Sequence, residues 1–537
     1  MTQGPEAAAP TAHYDAVVIG GGFAGLYSLH KLRGQGLKVR VYEAGDGIGG
    51  TWFWNRYPGA RVDIQSLEYS YQFDEDLQQQ WAWSERYAPQ SELLDYANHV
   101  ADRFELWPDI QLNTMVTGAR YDEAAGIWTV TTSQGDVVTA DTVVMATGCL
   151  SSANMPNYEG RDSFRGRVFH TGKWPKEQVD FTGRRVGIIG TGSSGIQTIP
   201  IVAAQAAHLT VFQRTPSYSV PAHNGPIPEE VVRDVKGRYA QYRAANNATS
   251  LGADWGYRED SALDSTPEER EAEYESRWAR GGLSFYGSYA DLLSSPEANF
   301  TAADFIRGKI RQIVKDPAIA DKLCPTTALG CKRICVDTGY YATYNRPNVT
   351  LVDVKAAPIQ AITPMGLRTV DADYEFDDLI YATGFDAMTG ALTRMDIRGV
   401  GGVALKEAWA EGPKTYLGLC VAGFPNLFII AGPGSPSVLT NMLPSIEQHV
   451  NWIGQTVGYL RGKGLRRIEA RPDAQDAWVA HVNETAAPTI LPTCNSWYLG
   501  ANIPGKPRVF MPYLGFAPYV AKCEEVVANG YEGFALA

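Results

Sequence analysis

One turn constrains this chain more than anything else in it, and the turn occurs twice. Ala16-Val17-Val18-Ile19 runs into Gly20-Gly21-Gly22-Phe23-Ala24-Gly25, and leucines at Leu26, Leu29 and Leu32 follow. The β-branched run reads as a strand, the glycines as a tight turn and the leucine spacing as a helix. The same order returns where Arg185-Val186-Gly187-Ile188-Ile189 leads into Gly190-Thr191-Gly192-Ser193-Ser194-Gly195, with Gln197 just behind. Each turn is followed by a second strand. The first is Lys38 to Tyr42, ending in Glu43; the other is Leu209 to Phe212, ending in Gln213-Arg214-Thr215. A closing strand repeats as well, since Val143-Val144-Met145 and Leu379-Ile380-Tyr381 both run into Ala-Thr-Gly.

A glycine turn between strand and helix lets backbone approach a pyrophosphate, and the helix start offers it unpaired N–H groups. The fold class is therefore α/β, with two Rossmann-like dinucleotide-binding domains. Their second strands end differently. Glu43 can accept two hydrogen bonds from ribose hydroxyls, which suits the unphosphorylated adenosine of FAD. Gln213-Arg214-Thr215 carries no carboxylate, and Arg214 can pair with a ribose phosphate, which favours NADPH over NADH.

The segment from about Pro226 to Asp321 is rich in Glu, Arg, Ala and Tyr and has helical spacing. It separates the second turn from its Ala-Thr-Gly strand and reads as an insertion. Beyond Gly384 come an apolar stretch from Asn426 to Ala431, a glycine-proline turn and a helix from Ser445 onward, which return to complete the first domain. The expected division is a disordered lead at 1–13, an FAD-binding domain at 14–150 and 385–537, an NADP-binding domain at 151–221 and 332–384, and a helical insertion at 222–331.

Among the 537 residues, 59 are acidic and 47 basic, a net charge of −12 that argues against nucleic acid as a partner. No apolar run reaches the roughly 18 residues that span a membrane. Met1 to His13 lacks a signal core, so a cytoplasmic protein is expected. Seven cysteines are too few for a secreted disulfide framework. Cys331 and Cys335 have helical spacing but resemble neither a redox pair nor a zinc site, and read as packing; no metal is expected. With no cysteine before Cys149, a flavin disulfide reductase is disfavoured.

Two further stretches carry a family resemblance. One is Gly49-Gly50-Thr51-Trp52-Phe53-Trp54-Asn55-Arg56-Tyr57-Pro58-Gly59-Ala60-Arg61-Val62-Asp63. The other is Phe164 to Pro175, in which Phe164, Gly166, His170, Trp174 and Pro175 match each defined position of the fingerprint of type I Baeyer–Villiger monooxygenases. The chain resembles that family from residue 14 onward, and most resembles its phenylacetone and steroid monooxygenase branch. Shared stretches there are Gly190 to Gln197, Ala382 to Gly390, Gly432 to Ser437 and Ser496 to Pro507.

The resemblance implies a flavoenzyme in which NADPH reduces FAD, dioxygen forms a peroxyflavin, and a ketone becomes an ester or lactone. Aryl, cyclic, linear and steroid ketones stay open. By that resemblance Arg333 is the catalytic arginine and Asp63 its carboxylate partner. A permanently charged donor suits an anionic oxygen species held away from water. The flavin contacts implied are Ala24, Glu43, Thr51, Trp52, Phe53, Trp54, Asp63, Ile64, Tyr69, Val116 and Met442, with Arg61 a further cofactor contact. Those of NADPH are Thr191 to Gln197, Arg214, Thr215 and Lys332, with Trp497 folded over the nicotinamide. Water must be excluded, because a peroxyflavin that meets it decays to hydrogen peroxide. His170 and Trp174, placed just before the second turn, suit domain coupling better than chemistry. The substrate pocket implied is Cys149, Leu150, Ser437, Val438, Leu439 and Met442. Here the chain departs from the branch at Cys149 and Val438, at Pro89, and across Thr249 to Ser265. Two alternatives remain: a heteroatom-oxidising flavin monooxygenase and a non-catalytic redox module. A monomer or weak homo-oligomer is expected.

Overall fold

The computed structural model describes residues 10–537. The strand feeding the first glycine turn spans Ala12–Ile19. It therefore takes in Ala12 and His13, two residues expected to belong to the lead; residues 1–9 of that lead lie outside the described residues. Val17 and Val18 are wholly buried on opposite faces of this strand, one in each of two hydrophobic cores. Burial on both faces explains why the run is continuously apolar rather than alternating.

This strand pairs in parallel with Val39–Tyr42 on one side and Val137–Met145 on the other. The long Val137–Met145 strand divides its far edge. Its first half pairs antiparallel with Ile127–Thr132, and its last three residues pair in parallel with Leu427–Ile429. Asp396–Arg398 joins the same sheet beside Val116–Asp122. Two of the eight strands thus come from beyond Gly384. The helix from that return, Met442–Lys463, is capped by the Asn441 side chain and stops at Gly464, where φ is +69°. It lies on the first turn's helix, Phe23–Arg33, where the Tyr27 hydroxyl donates to Asn451 Oδ1 at 2.8 Å.

The second sheet has five strands, all parallel, in the order Val349–Asp353, His208–Gln213, Arg185–Ile189, Asp378–Tyr381 and Arg167–His170. Asp378 is completely buried between strands. Arg167 Nε at 2.6 Å and Arg184 Nη2 at 2.9 Å satisfy it, as a buried carboxylate requires.

The duplicated turns share their backbone conformation and their close contact. Gly20 and Gly190 have φ of +110° and +111°. A Cβ on Gly20 would stand 2.5 Å from the Ala146 carbonyl oxygen, and one on Gly190 would collide with that of Ala382. The repeated Ala-Thr-Gly is thus the floor of each turn, and only glycine fits above it.

The insertion is helical, with Glu229–Gly237, Tyr239–Asn247, Pro267–Arg280, Pro296–Ile313 and Pro317–Leu323. Its buried Arg243 donates to Glu68 O at 2.7 Å, and Tyr239 donates to Leu67 O at 2.6 Å. These bonds press the insertion against the segment leading into Tyr69.

Cys331 corrects an expectation. It is joined in a disulfide to Cys494, with Cα atoms 5.5 Å apart across 163 residues of sequence. Local spacing with Cys335 could not reveal that pairing; Cys335 itself is a buried free thiol. Among the described residues, no helix is long and apolar enough to cross a membrane, and no group of three or more His, Cys, Asp or Glu is placed to hold a metal.

Candidate active site

Both glycine turns open onto the C-terminal ends of their strands, where open α/β sheets leave a crevice. The helices Phe23–Arg33 and Ser193–Gln205 start at Gly22 and Gly192, and neither has a side-chain cap. Their first N–H groups are left for an anion. A Cβ on Gly192 would meet nothing within 4 Å, so the approach is open. Glu43 is buried and accepts from Gly21 N at 2.6 Å and Gly45 N at 2.8 Å. Each carboxylate oxygen keeps a lone pair for a ribose hydroxyl. Burial raises the Glu43 pKa, and those two N–H groups oppose the rise. Gly20, Gly22, Ala24 and Gly25 all lie on this turn, and Val116 starts the Val116–Asp122 strand of the same sheet.

On the second side, Thr191 donates to Thr215 O at 3.3 Å, fixing the loop that carries Arg214. Among the described residues neither Arg214 nor Lys332 forms a salt bridge, and the two are close enough to repel. Burial first, and Arg214 second, lower the Lys332 pKa. Two neighbouring cations without a carboxylate fit a phosphate. The residues present therefore fit one dinucleotide at each turn.

The two halves meet through the tryptophan-rich stretch. Tyr57 donates to Gln197 Oε1 at 2.8 Å, and Gln197 Nε2 donates to Arg61 O at 3.2 Å. A Cβ on Gly59 would collide with Gln197 O, so this glycine permits the contact. The Arg61 guanidinium pairs with Glu85 at 3.1 Å, and its carbonyl serves the interface. Trp52 is buried and donates to the Tyr69 hydroxyl at 3.2 Å. Ile64 is buried nearby, whereas Trp54 is 37% exposed and stands edge-on to Phe53 at 5.0 Å. Thr51 starts the short helix holding all three aromatic residues.

The fingerprint residues lie along the same seam. Phe164 covers Gly166, where a Cβ would meet its ring. His170 Nδ1 accepts from Gly172 N at 2.9 Å. Its Nε2 lies 3.3 Å from both Asn154 O and Thr383 Oγ1, and burial lowers its pKa. Thr171 bonds Ser194 at 3.1 Å, and Trp174 N donates to Trp54 O at 3.4 Å. His170 thus ties strand to turn, and burial favours its neutral form.

Arg333 is the best-placed cation in the crevice. Nε and Nη2 donate to Asp63 Oδ2 and Oδ1 at 2.6 and 3.1 Å, and Nη1 donates to Val438 O at 3.2 Å. Burial works against its charge, but Asp63 outweighs burial, so its hold on the proton is raised. The Val438 carbonyl belongs to Ser437–Leu439, where Ser437 has φ of +44°. The Cys149 thiol lies against the Ser437 hydroxyl, which also bonds Ala431 O at 3.1 Å and Met388 Sδ at 3.5 Å. Leu150 and Met442 are half-buried beside this group.

Three residues escaped the sequence reading. Met388 is buried with φ of +67°, inside the shared Ala382 to Gly390 stretch that could have flagged it. Tyr286 accepts from Ile334 N at 2.9 Å, and the Tyr498 hydroxyl lies against the Arg333 backbone N–H. Tyr498 adjoins the singled-out Trp497; no local signal marks Tyr286.

Fold and crevice define a class: an oxidoreductase with one site for a flavin dinucleotide and one for a nicotinamide dinucleotide. A family model described as pyridine nucleotide-disulphide oxidoreductase matches residues 17–246. A Baeyer-Villiger monooxygenase of Pseudooceanicola batsensis is 45% identical over 527 residues, covering 97% of this chain and 96% of its own. A phenazine N-monooxygenase of Lysobacter antibioticus is 44% identical, covering 98% and 97%. The solved structure of an oxidized steroid monooxygenase bound to NADP has a TM-score of 0.93 at 50% identity, covering 98% and 99%. The chain belongs to the type I Baeyer–Villiger monooxygenase family, and it uses FAD and NADPH.

Proposed function

We propose that this chain inserts an oxygen atom beside a ketone carbonyl with Arg333 as the catalytic cation and Asp63 as its orienting partner. The observation that carries this reading is the clamp on Arg333, two bonds to Asp63 and one to Val438 O. A guanidinium has five N–H groups. With three engaged, one on Nη1 and one on Nη2 remain to face an anionic oxygen. The clamp fixes their direction beforehand, which is the form of electrostatic help that needs no reorganisation during reaction. Asp63 also lowers the cost of burying that charge.

FAD reduced by NADPH supplies the oxygen transfer from dioxygen. Around it, the uncapped starts at Gly22 and Gly192 take the two pyrophosphates, Glu43 the flavin-side ribose, and Arg214 with Lys332 the extra phosphate of NADPH. Trp52 and Tyr69 exclude water on the flavin side, and Trp497 covers the nicotinamide. Cys149, Ser437, Val438, Leu439 and Met442 line the substrate space, which is apolar apart from the thiol and the serine. Cyclohexanone and acetone appear in the names of relatives at 43% and 41% identity. A cytoplasmic monomer or weak homo-oligomer remains our reading.

The phenazine N-monooxygenase at 44% identity favours a second activity, oxygen transfer to an aromatic nitrogen. A panel of aryl, cyclic, linear and steroid ketones together with N-heteroaromatics, with products identified by gas chromatography, tests both. Ester or lactone from a ketone is the expected outcome. Arg333→Ala is expected to keep flavin reduction, followed by stopped flow, and to lose ester formation; normal ester yield from it would refute the role.

A further inference from the structure

Cys331 lies two residues before Arg333, and Cys494 three residues before Trp497. Their bond joins the arginine's segment to the segment expected to cover the nicotinamide. The join is reinforced on each side. Tyr498 lies against the Arg333 backbone, and Tyr286 holds Ile334 while its ring stacks on Trp255 at 5.5 Å. Further along, Asn502 donates to Phe385 O at 2.7 Å, and Lys506 Nζ donates to Asp386 Oδ1 at 2.6 Å and Ala387 O at 2.8 Å. The stretch bearing Trp497 is therefore pinned at its far end by side-chain bonds and at its near end by sulfur.

The pair is also isolated from other reactive thiols. Cys335, the next cysteine in sequence, is pushed up to about 12 by burial, so it offers no thiolate to exchange with the bond. A groove of about 410 Å³ opens beside the bond, lined by Asn299, Phe300, Ala328, Ile490 and Thr493. Thr493 is the chain neighbour of Cys494, and Ala328 O accepts the Cys331 N–H at 3.3 Å. Cys331 and Cys494 are themselves buried behind this groove wall.

We propose that Cys331 and Cys494 form a reversible redox-modification site, in which the bonded form holds the Trp497 segment against Arg333 and the dithiol form lets it move. This rests on the roles given above to Arg333 and Trp497. Bond formation removes two protons and two electrons from the thiols; hydrogen peroxide takes them and leaves as two waters. Peroxide is what uncoupled turnover releases, so leakage closes the bond and restores coupling. A small dithiol, becoming a cyclic disulfide, returns both electrons and both protons. In a reducing cytoplasm a protein disulfide is ordinarily transient and sensing rather than structural.

The test uses the holoenzyme after peroxide and after dithiothreitol. A non-reducing digest of the peroxide-treated form should give a linked peptide pair containing Cys331 and Cys494. The dithiothreitol form should release NADP⁺ on the order of tenfold faster, a factor equivalent to about 1.4 kcal/mol. It should also lose more NADPH to peroxide per ester made. Cys331→Ser and Cys494→Ser should each match the reduced parent and ignore dithiothreitol, which a general loss of stability would not reproduce. Two free thiols after peroxide, or equal NADP⁺ release and equal peroxide yield in both forms, overturns the proposal. If ester formation survives in Arg333→Ala, the underlying assignment fails instead, whatever the state of the sulfurs.

Discussion

Arginine at position 333 does what lysine cannot. Its planar fork meets both oxygens of Asp63 and still donates to Val438 O. A lysine ammonium is a point charge on a flexible stem and would lose that orientation. Arg333→Lys is therefore expected to cut ester formation by roughly 100-fold or more while flavin reduction stays near normal, the size seen when one preorganised donor is lost. Rapid-mixing reduction and product yield, measured together, separate the two steps. Arg214 is proposed to act on the cofactor instead. Arg214→Ala should raise KM for NADPH by about 10- to 100-fold, the loss expected for one charge-assisted bond, and leave KM for NADH little changed. Steady-state kinetics with both cofactors check this, and equal efficiency of the parent with NADH would remove the basis for it.

The two turns behave as one element used twice, because each glycine sits over the carbonyl of an Ala-Thr-Gly strand. Gly190→Ala adds a methyl where Ala382 O already stands and forces an L residue to φ of +111°. It should weaken NADPH binding by about 5- to 150-fold, since strain of this kind costs about 1–3 kcal/mol, yet leave the flavin in place. Flavin absorbance of the purified protein and KM for NADPH read the two sites separately. The turns, their strands and the acid or base after each second strand were legible because they are local in sequence. The seam between them was legible only in part. His170 and Trp174 stood out as a motif, but the bonds from Tyr57 to Gln197 and from Trp174 to Trp54 join residues whose spacing says nothing of contact.

Across the whole molecule, stability should depend on pH through buried groups given no part in the proposed chemistry. Burial raises the pKa of Glu447 from 4.5 to about 7, against the N–H groups of Gln72 and Phe73 that bond it. A carboxyl raised in the folded state contributes stability fully present below 4.5 and lost as pH rises through about 7. His449 runs the other way, lowered from 6.5 to about 3 by burial. Its Nδ1 accepts from Ala431 N at 2.9 Å and Nε2 meets Tyr519 at 2.8 Å, so it is held neutral. Its share is present above 6.5 and lost as pH falls toward 3. Glu447→Gln keeps an acceptor for both N–H groups without the charge. Its thermal midpoint should fall less than the parent's between about pH 6 and about pH 8, and an equal fall in both would refute this share.

The sequence alone determined the α/β class, the two dinucleotide turns, the helical character of the insertion and the residue types the chemistry requires. Those features rest on short-range rules: strand and helix periodicity, glycine where backbone must approach closely, and charge at a strand end. The family resemblance paired Asp63 with Arg333, but tertiary structure alone decided that Val438 shares Arg333, that Arg61 turns to Glu85, and that Cys331 finds Cys494 rather than standing as packing. Each joins segments far apart in the chain. Such pairs form only when burial and loop closure bring them together, and no local pattern carries that information.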